Sequence, residues 1–193
     1  MPDPRAAVDR LRTRGWMQTF TGVKFNVLHP RAEDVRIEDI AHGLAYTCRY
    51  GGQATRYYSV AEHCVIMSRF MPAARHLKQA LLHDSAEAYI GDLIRPVKHQ
   101  PELAEFRKIE SKIEVQVFKR FGIDSTAESD KAVKLTDNRI LIDEITQLMA
   151  DPKMYLESPA FKGLAPLGVT VRCWEPALAE HMFLNRYKDL FDE

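Results

Sequence analysis

A histidine and an aspartate stand side by side at His83-Asp84, inside the apolar, helix-forming run Leu81-Leu82-His83-Asp84-Ser85-Ala86-Glu87. Any fold of this chain must accommodate that pair, because a buried charge is costly unless it is partnered or bound to metal. One His-Asp dipeptide arises often by chance. It gains weight here from an upstream His63 and a downstream Asp137, each on its own helical pattern, which can complete a metal-ligand set.

The rest of the chain reads mostly as helix. Ile37, Ile40, Ala41, Leu44 and Ala45 recur at the i, i+3, i+4, i+7, i+8 spacing of an amphipathic helix. Ser59 stands three before Glu62, the pattern of a capping box, and the helix it opens carries His63, Ile66, Met67 and Phe70 on one side until Pro72. A further helix runs from Ala73 or His76 to Tyr89, stopped by Gly91. Leu103, Phe106, Ile109, Ile113 and Val117 mark a long helix closed near Gly122. Ser129 or Asp130 caps the next, with Val133, Asp137, Ile140, Leu141 and Leu148 inward. Glu175-Pro176 opens the last, which continues through Leu178, Met182 and Leu184 to about Leu190. The β-branched and aromatic residues around Gly22, between Thr19 and Leu28, predict a short hairpin. Residues 50–56 read as a loop, and residues 151–170, rich in Pro and Gly, as a surface excursion. No repeat or domain boundary is visible. The reading is one all-α domain over residues 1–193, a helical bundle with a small N-terminal β-hairpin.

Composition narrows the function classes. With 193 residues and 46% hydrophobic content, the chain can bury one good core. Its formal net charge is +0, which argues against nucleic-acid binding by bulk electrostatics. No apolar stretch approaches a membrane span, and Met1-Pro2-Asp3-Pro4-Arg5 lacks the apolar core of a signal peptide. Cys48, Cys64 and Cys173 are odd in number and form no Cys-x-x-Cys pair, so a reducing, cytoplasmic setting fits better than a disulfide framework.

Each candidate ligand has a bland reading of its own. A histidine on an apolar face is usually a hydrogen-bonded core residue. Asp137 can pair with Arg139 or with a lysine of a neighbouring helix, and Asp84 can serve only to orient His83. Together the four are more specific, since each bland reading needs a separate explanation. Two imidazoles and two carboxylates suit one divalent transition ion, Mn, Co, Zn, Fe or Ni, better than Ca.

The order His63, His83-Asp84, Asp137 resembles the H…HD…D signature of the HD-domain metal-dependent phosphohydrolases. The run from His83-Asp84 through Glu87, Gly91-Asp92, Pro96 and Lys98 is similar to the HDxxE…GD…P.K block of the 5′-deoxynucleotidase branch. Arg49-Tyr50 ahead of Ser59-Val60-Ala61-Glu62-His63 resembles that branch's Arg-aromatic pair and its (S/N)V(A/S)EH motif, with Tyr50 where the branch carries Trp. The likeness covers roughly residues 43–144.

The resemblance implies an all-α bundle around a metal. Only His99 lies between His83-Asp84 and Asp137, which favours a mononuclear site. It implies Glu87 and Asp92 at the chemistry, with Asp92 the better general acid/base. It implies Lys98 as a substrate contact, joined by Arg49, Arg95 and Tyr50; a guanidinium offers a planar fork to phosphate oxygens. The expected activity is hydrolysis of deoxynucleoside 5′-monophosphates to nucleoside and phosphate. A dNTP triphosphohydrolase or pyrophosphohydrolase is the rival within the class. Outside it stand a non-catalytic nucleotide-binding sensor, which would need neither Glu87 nor Asp92, and a structural helical protein. The expected partners are a small nucleotide and, through the apolar face of the last helix, a second copy in a homodimer.

Overall fold

The structure is a computed structural model and describes residues 15–191; the stretch Met1 to Arg5 read above lies outside it. It is an all-α protein with a small hairpin at the described N-terminus. Strands β1 (Trp16–Gln18) and β2 (Lys24–Asn26) pair antiparallel, Met17 opposite Phe25, so the hairpin begins earlier than the Thr19 start predicted. Asp39 ties it down, its carboxylate accepting from Thr21 N and Oγ1 at 2.7 and 3.0 Å.

Helix α1 (Ile37–Tyr46) buries Ile40, Ala41, Leu44 and Ala45, the stripe its spacing predicted. The chain then folds back on itself. Arg49 N donates to Tyr58 O at 2.9 Å and Val60 N to Thr47 O at 3.0 Å, closing residues 47–60 into a loop that delivers Arg49, Tyr58 and Ser59 to one place. Within it Tyr50 adopts φ 60°, a left-handed conformation unfavourable for a side chain with a Cβ.

Helix α2 (Val60–Phe70) is capped by Ser59, whose Oγ accepts from Glu62 N at 3.1 Å. Only this half of the expected capping box forms. Glu62 turns away and accepts from three backbone amides, Arg172, Cys173 and Trp174, at 2.6, 3.0 and 2.6 Å. Three tertiary acceptances outweigh one return bond to the cap, so the carboxylate anchors the chain entering the last helix. Replacing Glu62 by Ala orphans those amides and is expected to cost about 2 kcal/mol, read as a lowered urea midpoint with unchanged slope. Phe70, expected inward, is exposed, because the helix ends there and Met71 takes the buried place.

The helix expected from residue 73 or 76 to 89 is broken. It begins with a 3-10 turn (Ala74–His76), continues as α3 (Leu77–Leu82) and resumes as α4 (Glu87–Ile90). Between them Ser85 N bonds Leu82 O, and Glu87 N bonds Asp84 O, the tighter three-residue spacing. His83-Asp84 therefore lies at a junction, not mid-helix. Gly91 at φ 78° stops α4 as expected. Gly43 of α1 lets α4 approach: a Cβ there would lie 2.7 Å from Ala88 O.

Short α5 (Arg95–Lys98) is followed by α6 (Ala104–Phe121), ended by left-handed Gly122. Helix α7 (Ala127–Leu148) starts earlier than expected. Thr126 is its cap and Ser129 the reciprocal third residue, so two side chains and two amides satisfy each other. Val133, Asp137, Ile140, Leu141 and Leu148 are buried as predicted. The excursion carries short α8 (Lys153–Leu156) but is strapped down at its end. Asp143 accepts from Leu167, Gly168 and Val169 amides, and Val169 and Val171 are buried. Helix α9 (Pro176–Phe191) packs on α1 and α2 through Ala179 and Phe183, while Leu178 is exposed.

The main core lies among α1, α2, α3, α4, α6 and α9, and two smaller clusters lie against α7. The first turn of α2, the α3–α4 junction and the middle of α7 meet between them. Among the described residues no helix is long and apolar enough to cross a membrane.

Candidate metal centre

His63, His83 and Asp137 bring ligand atoms within 4.8 Å of one another, and Asp84 forms a second such group with His83 and Cys64. His63 Nε2 stands 3.4 Å from His83 Nε2, 3.6 Å from Asp137 Oδ1 and 3.7 Å from Asp84 Oδ2; His83 Nε2 stands 3.2 Å from the same Asp84 oxygen. Metal–ligand bonds of about 2.0–2.2 Å put donor atoms roughly 3–4 Å apart, so this spacing fits one ion.

Each imidazole is fixed from behind. His63 Nδ1 lies 2.6 Å from Glu144 Oε1, and His83 Nδ1 lies 2.9 Å from Ala80 O. Both acceptors require a proton on Nδ1, so once the rings are neutral, as a bound cation would make them, the Nε2 lone pairs face the centre. Without a cation, a proton is favoured in its place. Burial disfavours an imidazolium at His83, yet Asp84 and the neighbouring Cys64 sulfur hold its pKa well above the usual value. Burial likewise opposes the Asp84 charge, but His83, His63 and Arg49 hold that carboxyl well below its usual range. Asp137 is also held low, by Arg95 and the two histidines against its own burial. Two ionised carboxylates thus face two imidazoles in a buried place that favours positive charge.

Glu144 is the residue the sequence reading missed. It is fully buried and gathers four donors: His63 Nδ1, Tyr58 Oη at 2.8 Å, Tyr50 Oη and Arg49 Nη2 at 3.3 Å. Burial works against its charge, but Arg49 and His63 bring its pKa down to about 2. It lies seven residues after Asp137 on α7, two turns along the same face. A buried acid at that spacing was the available signal.

The predicted substrate contacts are mostly engaged. Arg49 is buried between Glu144 and Asp84, with Nη1 3.4 Å from Asp84 Oδ2. Tyr50 sits against it, the Arg49 guanidinium 5.6 Å from the ring centroid, which with its bond to Glu144 holds the left-handed backbone. Arg95 Nη2 donates to Asp137 Oδ2 at 2.6 Å, and Lys134 Nζ donates to the same oxygen at 2.9 Å. Arg139 goes instead to the Ala165 and Pro166 carbonyls. Lys98 pairs with Glu110 and lies 3.5 Å from Glu87 Oε1.

Glu87 and Asp92 both sit in this field. Burial, with the Asp84 and Asp92 charges added, pushes the Glu87 carboxyl well up. Burial raises Asp92 too, partly offset by Arg49. Arg49 Nε, Ser85 Oγ and Glu87 Oε2 are buried with no hydrogen-bond partner among the described residues. Such atoms are rare in native proteins, and here three of them cluster around the ligand set.

Glu114 of α6 feels the charges of His83 and Asp84, and burial pushes its pKa up to about 7 despite His83. Its folded pKa exceeds the unfolded one, so the fold holds a proton that the unfolded chain has lost, and stability falls as pH rises from about 4.5 to about 7. Glu114→Gln is expected to remove this slope and to stabilise the protein at pH 8 by on the order of 1–2 kcal/mol, with little change at pH 4.5. Denaturation midpoints at the two pH values test it; equal effects at both would refute it.

Fold and site together define an all-α protein with a buried histidine–aspartate group able to hold a metal ion. The chain belongs to the family of the uncharacterized protein YfdR of Escherichia coli, with which it is 30% identical over 176 residues, 91% of this chain and 95% of that one. It is also 35% identical over 134 residues to an uncharacterized protein of Rhodobacter capsulatus, spanning 64% of this chain and 68% of that one. No protein-family model matches the chain.

Proposed function

We propose that this protein is a divalent-metal-dependent phosphohydrolase of the HD type that acts on nucleotides, releasing phosphate from deoxynucleoside 5′-monophosphates. One observation carries the reading: His63, His83 and Asp137, from three separate segments, bring ligand atoms within 4.8 Å of one another, and Asp84 Oδ2 lies 3.2 and 3.7 Å from the two imidazole Nε2 atoms. That donor set suits Mn, Co, Zn, Fe or Ni. An ion held by these four residues supplies charge neutralisation for a phosphoryl group and a bound water of lowered pKa.

The chain's own groups do the rest. Glu144 and the Ala80 carbonyl keep the imidazole lone pairs aimed inward. Asp92, with a raised pKa and no ion pair among the described residues, is placed to hold or release a proton at the leaving oxygen. Glu87, raised further and next to Lys98, is the second proton-handling group, and its unpartnered Oε2 is where a water or substrate hydroxyl docks. Arg49, locked between Glu144 and Asp84, keeps its positive charge beside the ligands.

The test is phosphate release from a panel of nucleotides with Mn, Co or Zn added. Metal-dependent release of orthophosphate from deoxynucleoside monophosphates supports the proposal, and turnover of no nucleotide with any of these metals removes it. Pyrophosphate or tripolyphosphate as product would move the reaction to another P–O bond.

A further inference from the structure

Two cations stand at the edge of the ligand cluster and share a single carboxylate oxygen. Arg95 Nη2 and Lys134 Nζ both donate to Asp137 Oδ2, at 2.6 and 2.9 Å, while Asp137 Oδ1 faces inward to His63. Side-chain exposure rises outward along this file, from 0% at His63 to 9% at Asp137, then 40% at Arg95 and 61% at Lys134. Asn138 Oδ1, 3.3 Å from Arg95 Nη1, steadies the guanidinium. Among the described residues, neither cation forms an ion pair with any carboxylate but Asp137.

Two other cations nearby are already engaged. Arg49 is held by Glu144 and Lys98 by Glu110. Asp92 feels chiefly Arg49, Asp84, Lys98 and His63. A divalent ion among the ligands uses the charges of Asp84 and Asp137. Arg95 and Lys134 are then left on the solvent side with no other carboxylate paired to them among the described residues. Both have donors to spare, since a guanidinium carries five N–H groups and an ammonium three. A terminal phosphate monoester carries about −1.5 to −2 near neutral pH. A diester, or a phosphate inside a chain, has one ionisable oxygen and carries a single charge.

We infer that Arg95 and Lys134 form a recognition site for the free oxygens of a terminal, dianionic phosphate. The pair directs the centre to end phosphates and away from internal ones. This rests on the hydrolase reading and narrows it: a phosphomonoester is favoured over the sugar-linked phosphate of a triphosphate.

Lys134→Gln tests it, because so exposed a side chain is dispensable for folding; Arg95→Gln/Lys134→Gln completes the series. Calorimetric titration of each protein with Mn²⁺ alone, then of the Mn²⁺-loaded protein with inorganic phosphate or with dimethyl phosphate, needs no turnover. Phosphate affinity is expected to fall about tenfold in the single variant and roughly a hundredfold in the double, while Mn²⁺ affinity stays within about threefold. Dimethyl phosphate is expected to bind wild type weakly and to change little. Unchanged phosphate affinity in both variants overturns the inference and leaves the hydrolase reading standing. Equal losses of Mn²⁺ and phosphate affinity also overturn it, since the cations would then only hold Asp137 in place. Wild type that binds no Mn²⁺, Co²⁺ or Zn²⁺ removes the hydrolase reading and this inference with it.

Discussion

Asp84→Ala is expected to abolish metal-dependent phosphate release, lowering kcat/KM by at least about a thousandfold, and to lose bound metal on purification. The proposal that the four-residue cluster is the hydrolytic centre makes this the most damaging single change. Asp84 Oδ2 is the atom shared by the group, within 3.2 Å of His83 Nε2, 3.7 Å of His63 Nε2 and 3.4 Å of Arg49 Nη1. Its loss removes one of four ligands and the charge that holds His83 in place. It also frees the Arg49 guanidinium, which would then repel a cation at the centre. Loss of a transition-state interaction of about 4 kcal/mol corresponds to that factor. Asp84→Asn keeps the volume and one acceptor oxygen, so it is expected to fall nearly as far in rate with helix content unchanged. Metal content by mass spectrometry and phosphate release by colorimetry decide the matter. A variant that keeps both its metal and its turnover would mean the reacting centre lies elsewhere.

The sequence was most legible where periodicity and chemistry coincide. Asp137 is the clearest case: an acid among Val133, Ile140 and Leu141 at helical spacing had to be buried, and it is. The stripe of α1 and the closing Gly122 of α6 were equally readable, since both are local. What stayed hidden was long-range. Glu62 looked like the third residue of a capping box because nothing local reveals that residues 172–174 will present three amides to it. The break at His83-Asp84 was masked for the same reason; the residues are compatible with a helix, and tertiary contacts with His63 and Arg49 accompany the tighter turn. Leu178 and Phe70 show the limit of a stripe argument at helix ends, where the first or last turn extends beyond the core that the middle packs on.

The candidate site divides the same way. The four candidate ligands were legible as residue types in order, whereas their supports were not. Arg49 and Arg95 were read as substrate contacts because an arginine near a phosphate site suggests one. In the fold, Arg49 first serves the internal balance of charge, bridging Glu144 and Asp84. Glu144 carried only the weak signal of its spacing from Asp137. Its partners lie 81 to 95 positions away in the chain, so nothing in its own neighbourhood points to them.

Glu144→Ala is expected to destabilise the protein by about 3–5 kcal/mol, the usual cost of removing one partner from a buried ion pair. Arg49 would remain buried with only Asp84, and the Tyr58 hydroxyl and the His63 Nδ1 proton would lose their acceptor. Acid titration separates this charge from simple packing. The folded pKa of about 2 lies below the unfolded value near 4.5, so the unfolded chain takes up the proton first as pH falls. The stability contributed by the ionised Glu144 is therefore complete above pH 4.5 and is lost between about pH 4.5 and 2, amounting to roughly 3 kcal/mol. With a chelator present to remove any metal contribution, urea midpoints of wild type are expected to fall across that window more steeply than those of the variant. Parallel curves would mean that the carboxylate is not the charged hub of the network. A double variant, Arg49→Met with Glu144→Leu, removes both charges together and is expected to recover much of the lost stability, while leaving His63 free to turn and metal affinity reduced at least about tenfold.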